Sequence, residues 1–155
     1  MKNIIIKSVG KKGKGVFSLK NFQPGQTILR LKHNKIVSKE IVSKLSYHYQ
    51  NHMGYVGKGK YAIYKSPEKY INHSCDPNVY FKHINTFSEK VIAIKPIKSG
   101  EEIVSDYTID SVDDWRMKCQ CGSRNCRKNV SGLFSSLDKN TQKKYFEYAP
   151  KWNKT

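Results

Sequence analysis

The sequence predicts a mainly β, β-rich α+β domain built from several small sheets. Three observations carry that expectation. Short β-branched and aromatic runs recur between turn signals, only two segments have helical spacing, and 155 residues is the ordinary size of one domain that buries a core without disulfides.

The elements follow in chain order. "IIIK" at Ile4, "GVFSL" at Gly15, "TILRL" at Thr27, "YAIY" at Tyr61, "VYFKH" at Val79, "VIAI" at Val91 and "EIV" at Glu102 read as strands. Ser38 is placed to cap a helix in which Ile41, Val42, Leu45 and Tyr49 share one face. "LDKNTQKKYFEY" from Leu137 reads as a second helix packed on the body. "LKNFQPGQTI" at Leu19 echoes "IKPIKSGEEI" at Ile94, each a strand end, a Gly turn and a new strand; coincidence between two ordinary turns explains the echo equally well. One unit is expected over residues 1–155, since no linker divides the chain.

Composition narrows the function. Met1 to Lys7 carries only Ile4, Ile5 and Ile6 as an apolar run, too short for a signal-peptide core or a membrane span. A soluble intracellular protein without membrane contact is therefore expected. A net charge of +17 favours polyanions, yet 25 Lys against 4 Arg reads first as solvated surface, because specific nucleic-acid recognition prefers Arg. Six of the twelve acids, Glu101, Glu102, Asp106, Asp110, Asp113 and Asp114, form one local acidic stretch.

"CQCGSRNC" supplies Cys119, Cys121 and Cys126, and three thiolates on so short a loop can converge on one tetrahedral Zn²⁺. A fourth ligand is needed. Cys75, in "YINHSCDPN", completes an all-thiolate set and makes the metal a staple between distant segments; His73 or His83 as the fourth ligand, or unligated thiols, are the alternatives.

With "GKGVFS", "NHSCDPN", "GEEIVSDY" and "CQCGSRNC" in this order and spacing, the chain resembles the SET-domain protein lysine methyltransferases with a post-SET zinc motif, from about Lys11 to Lys128. The resemblance implies a SET fold with pseudoknot-like C-terminal threading, a core at about 11–110, a zinc-bound post-SET loop at about 115–128 and a tail at 129–155. It implies S-adenosylmethionine as methyl donor, with Lys12, Gly13 and Lys14 along its methionine end, Asn72 and His73 hydrogen-bonding it, and Gln120 on its adenine side. One structural Zn²⁺ would sit on Cys75, Cys119, Cys121 and Cys126. Tyr107 matches the catalytic tyrosine, and Tyr61 looks like the second tyrosine of the lysine channel. Ser105 stands where many members carry Phe or Tyr; its small side chain leans towards di- or trimethylation. Lys69 and Tyr70 replace a frequent Arg-Phe pair.

The expected reaction is methylation of a lysine ε-amine in a basic protein, a histone or other DNA-packaging protein first and a ribosomal protein second. The acids at 101–114 either draw in that substrate or cap turns. Non-specific DNA contact is compatible with such an enzyme. Two rival readings are a zinc-stapled nucleic-acid-binding module and a catalytically inactive SET-derived binding protein. A nucleus, a bacterial cytoplasm or nucleoid, and export as an effector fit the sequence alike.

Overall fold

The computed structural model describes residues 3–10 and 13–154, and Lys12 lies outside them. It is mostly β, in several small sheets. All seven sequence-read runs are strands: β1 Ile4–Ser8, β2 Lys14–Ser18, β3 Thr27–Lys32, β6 Lys60–Ile63, β8 Val79–Asn85, β9 Ser88–Ala93 and β10 Glu102–Ser105. Shorter strands join them: β4 Ile36–Ser38, β5 Met53–Tyr55, β7 Asn72–His73, β11 Arg116–Lys118 and β12 Asn129–Ser131.

Strand order is β1-β2-β10-β7 in the first sheet, β3-β9-β8 in the second, β4-β6-β5 in the third and β11-β12 in the fourth. The first two sheets close over one core, in which Val16, Val79, Val91 and Ile103 are wholly buried. Alternation explains β8 and β9. Val79, Phe81, Glu89 and Val91 point inwards, while Tyr80, Lys82 and Lys90 face out.

Strand β10 is held along both edges. It pairs with β2 antiparallel and with β7 parallel, where Val104 faces Asn72 and Ser105 faces His73. The segment after β7 continues the grip: Ser74 donates to the Ser105 carbonyl at 2.8 Å, and the Asn78 amide group spans Glu102 O and Val104 N at 2.8 and 2.9 Å. The late strand thus lies beside the "NHSCDPN" loop.

The sequence echo is structural. Phe22 and Ile97, equivalent in the two segments, exchange both backbone hydrogen bonds at 2.8 and 2.9 Å. Their turn glycines, Gly25 and Gly100, sit at φ 82° and 89°, a region only glycine adopts freely. Gln26 accepts from the Gln23 amide as Glu101 accepts from that of Lys98.

The helix expected from Ser38 is broken into α1 Lys39–Val42 and α2 Tyr47–Gln50. Ser46, extended at ψ 152°, restarts the second turn, because serine competes for its own backbone and favours caps over helix interiors. Ile41 and Tyr49 remain 40% exposed, so the supposed apolar face buries little. After α3 Tyr107–Asp110, the C-terminal helix α4 Lys139–Tyr145 forms as read, with Asp138 accepting from the Asn140 and Thr141 amides at 3.0 Å. Segment 134–149 packs on α3 through Phe134, Leu137, Tyr145 and Ala149 around Ile109. No helix among the described residues is long and apolar enough to cross a membrane.

Candidate active site

The site is assembled where β2, β7 and β10 run side by side. Asn72 donates from Nδ2 to the Lys14 carbonyl at 3.0 Å and to Glu102 Oε1 at 2.7 Å, joining the three strands. Gly13 has φ 80° with open space around its α-carbon, and a Cβ at Gly15 would stand 2.5 Å from Glu102 Oε1. The two glycines of "GKG" therefore serve a turn and a close approach respectively.

Asp106 caps α3, accepting from the Thr108 amide at 3.1 Å. Its cap places Tyr107 at the first helical position, 37% exposed. The Tyr107 hydroxyl donates to the Ile71 carbonyl at 2.8 Å and its amide donates to His73 Nδ1 at 3.3 Å. Although more than a third of the residue is exposed, its hydroxyl is turned inward onto Ile71, and burial there, with the Glu102 carboxylate adding to it, pushes the phenol up to about 12. His73 Nδ1 also lies 3.6 Å from Asp106 Oδ1, and Nε2 faces Cys75 Sγ at 3.4 Å. His73 thus links the cysteine cluster to Tyr107.

The four cysteines converge as read. All four Sγ atoms lie within 4.8 Å of one another, and Cys75 and Cys119 are 3.8 Å apart. Zn–S bonds of about 2.3 Å in a tetrahedron give sulfur–sulfur edges of about 3.8 Å, so the set fits zinc. Burial pushes the Cys75 and Cys119 thiols up, the latter to about 12; against the same burial, hydrogen bonds from Ser123 and Cys119 hold Cys121 down, to about 6. A full set of thiolates at neutral pH needs a cation among them. The Arg127 amide donates to Cys75 Sγ at 3.4 Å, an outer contact that would orient this thiolate towards an ion. His83 is not available as a ligand, since it binds Glu89 and Asp110.

Gln120 lines an open cleft of about 590 Å³ with Lys118, Gly122, Lys128 and Asn129. Ser105 is 3% exposed, and its hydroxyl has no hydrogen-bond partner among the described residues. Tyr61 is 3% exposed and donates to Asp113 Oδ1 at 2.8 Å; burial, with that hydrogen bond adding to it, pushes its phenol well up. Its ring meets that of Tyr55 edge-on at 5.3 Å, and Trp152 covers Tyr55 at 5.0 Å.

Most of the acidic stretch is used internally. Glu101 holds the Lys98 amide, Glu102 holds Asn72, Asp106 caps α3, Asp110 meets His83 and Asp113 meets Tyr61. Glu101 and Asp114 are exposed, the first on the Lys98 amide and the second 3.7 Å from Arg116, so turn capping and internal pairing describe these acids better than a groove for a basic peptide. Sequence reading missed Asp106 and Arg127 as positioning residues. The signal was an N-cap Asp directly before Tyr107.

This arrangement has relatives. The family model of the SET domain matches residues 13–108, and the chain belongs to that family. It is 26% identical over 134 residues to histone-lysine N-methyltransferase trithorax of Drosophila virilis, covering 77% of this chain and 3% of the relative. Over 66 residues it is 45% identical to histone-lysine N-methyltransferase SETD1B of Homo sapiens, covering 41% of this chain and 3% of the relative. It is also 39% identical over 66 residues to the H3 lysine-9 specific histone-lysine N-methyltransferase SUVH1 of Nicotiana tabacum, covering 38% and 9%. The chain thus spans only 3 to 9% of the length of these relatives.

Proposed function

We propose that this protein is an intracellular protein-lysine N-methyltransferase that uses S-adenosylmethionine and acts on a basic protein, with histones or other DNA-packaging proteins as the leading class. One observation carries the reading: Tyr107 is fixed by His73 and Ile71, and the adjoining Asn72 binds the Lys14 carbonyl, so the tyrosine and the Asn-His pair meet at one place. Membership of the SET family and three relatives with histone-lysine methyltransferase names support it.

When bound, S-adenosylmethionine supplies an electrophilic methyl group and a neutral leaving thioether. The protein's share is alignment and desolvation. Gly13, Lys14, Asn72 and His73 would hold the donor, with Gln120 on its adenine side. The Tyr107 hydroxyl and the Ile71 carbonyl orient the incoming amine for in-line attack. A lysine has a reference pKa of about 10.4, and burial against Tyr107 disfavours its ammonium form. Tyr61 forms a further part of the channel wall, and the small Ser105 leaves space for an already methylated amine. A zinc held by the four cysteines would be structural, fixing the loop that carries Gln120.

The test is transfer from radiolabelled S-adenosylmethionine to histones, nucleoid proteins and ribosomal proteins, read by mass spectrometry for wild type and Tyr107→Phe. Lysine methylation that Tyr107→Phe abolishes supports the proposal, and di- or trimethyl products support the role of Ser105. Failure to bind the donor would overturn it in favour of a binding module.

A further inference from the structure

The outer face of the second sheet carries cations in register. Arg30 on β3 is paired with Lys90 on β9, which is paired with Lys82 on β8. Directly paired residues point to the same face, so the three side chains form one row across three strands. Neighbouring strands lie about 4.8 Å apart, which makes the row about 10 Å long. Lys32, two residues beyond Arg30, extends it on the same face.

No carboxylate lies within ion-pairing distance of these four cations among the described residues. The acid nearest in sequence, Glu89, points into the core. Like charges directly opposed across a sheet are destabilising, so this face carries an unfavourable arrangement that an anionic partner relieves. Beside the row, at the end of the β8–β9 hairpin, Ile84 is 50% and Phe87 60% exposed. An apolar pair next to a strip of unpaired cations suits a surface that meets charged backbone and uncharged sugar together.

We propose that this face binds the phosphate backbone of duplex DNA without sequence preference. Arg30, Lys32, Lys82 and Lys90 each neutralise a phosphate, and Ile84 and Phe87 lie against the sugar edge of a groove. Lysine as the dominant cation fits backbone contact better than base reading. The chain's net charge of +17 brings the polyanion up from any side, and the register of the sheet decides which side docks. The inference does not depend on methyl transfer, since binding is measured without a methyl donor.

The experiment is fluorescence anisotropy with a labelled mixed-sequence duplex of about 20 base pairs across a salt series, since each phosphate contact contributes about 0.9 to the log–log salt slope. Replacing Arg30, Lys32, Lys82 and Lys90 by Gln is expected to lower the slope by about 3.6. A charge-matched variant, with the exposed Lys39, Lys44, Lys60 and Lys98 replaced by Gln, is expected to lower it by less than about 1. Phe87→Ser should weaken binding a few-fold and leave the slope unchanged.

The first variant should unfold at the same or a higher temperature than wild type, because a repulsion has been removed. Should it fail to fold, Lys90→Gln alone must still lower the slope by about 0.9. Equal losses in both charge-matched variants would mean that net charge alone binds, and the proposed face would be wrong. Tighter binding of single-stranded DNA or of an acidic peptide would overturn duplex DNA as the partner, and so would no binding of the wild type at low salt.

Discussion

Arg127 Nη2 donates to Asp106 Oδ1 at 2.7 Å, tying the cysteine loop to the cap of the helix that begins with Tyr107. The same arginine's amide touches Cys75 Sγ. One residue therefore couples the cysteine cluster, the cap and the tyrosine. The Asp106 side chain is wholly buried, and this arginine is its nearest cationic neighbour. Arg127→Met should cost about 3 kcal/mol, the usual penalty for orphaning a buried charge, and should lower kcat more than a surface change of equal charge. Urea unfolding and steady-state kinetics measure both; unchanged stability would show that Asp106 does not need the arginine.

Zinc removal should act on a region before it acts on the whole. The thiolate cluster joins Cys75, beside β7, to the loop between β11 and β12, whereas the main core around Val16, Val91 and Ile103 lies apart from it. A chelator, or Cys119→Ser, should raise hydrogen exchange over residues 115–130 and abolish activity, while exchange in β8 and β9 stays slow. The untreated protein should contain one zinc per chain. Global unfolding on chelation would sink the local picture.

Tyr107→Phe removes the hydroxyl bound to Ile71 O without emptying the ring's place. Its His73 contact is made by the backbone amide and survives. Loss of one well-placed hydrogen-bonding group in an active site costs about 10²–10³ in kcat. We expect that loss with little change in thermal stability. A fall of less than about tenfold would take Tyr107 out of the chemistry.

The strands and the cysteine partners were legible because their signals are local or exhaustive: alternation marks β8 and β9, and four cysteines leave one tetrahedral set. The echo of Leu19 and Ile94 was visible as sequence, but its meaning, the pairing of Phe22 with Ile97, required tertiary contact. Helix periodicity at Ile41 to Tyr49 misled, since serines interrupt it and too little core covers the face to override them. The fates of Asp110 and Asp113 were equally hidden. Their partners, His83 and Tyr61, lie 27 and 52 residues away, and no spacing rule links them.

A buried row of ionisable groups makes the fold sensitive to alkali. Glu68 lies 3.4 Å from His33 Nδ1, and Glu89 lies 3.2 Å from His33 Nε2; Glu89 also contacts His83, whose Nε2 is 2.9 Å from Asp110. The two nitrogens of His33 face different carboxylates, so the row is a chain of close ion-pairing contacts. Burial alone would discharge His83, but Asp110 and Glu89 outweigh it and push the ring up to about 10. Burial, with the Glu89 charge adding to it, pushes Glu68 up to about 8. Both folded values are raised above the unfolded ones, so both groups contribute stability that is complete at low pH and lost as pH rises. Above about pH 6.5 the unfolded His83 is neutral while the folded one holds its proton, which gives a slope of about −1.4 kcal/mol per pH unit until about pH 10; Glu68 adds a similar slope up to about pH 8. Glu89 works in the opposite direction, held down by His33 and His83 against its burial, and sets the loss at the acid end. Unfolding free energy measured by urea at pH 6.5, 8 and 9.5 should therefore fall steadily, in about 0.3 M salt so that easing repulsion among the lysines does not mask the trend. His83→Gln should flatten the profile above pH 8 while lowering stability at pH 6.5. A wild-type profile that is flat from pH 6.5 to 9.5 would show that His83 is neutral in the folded protein.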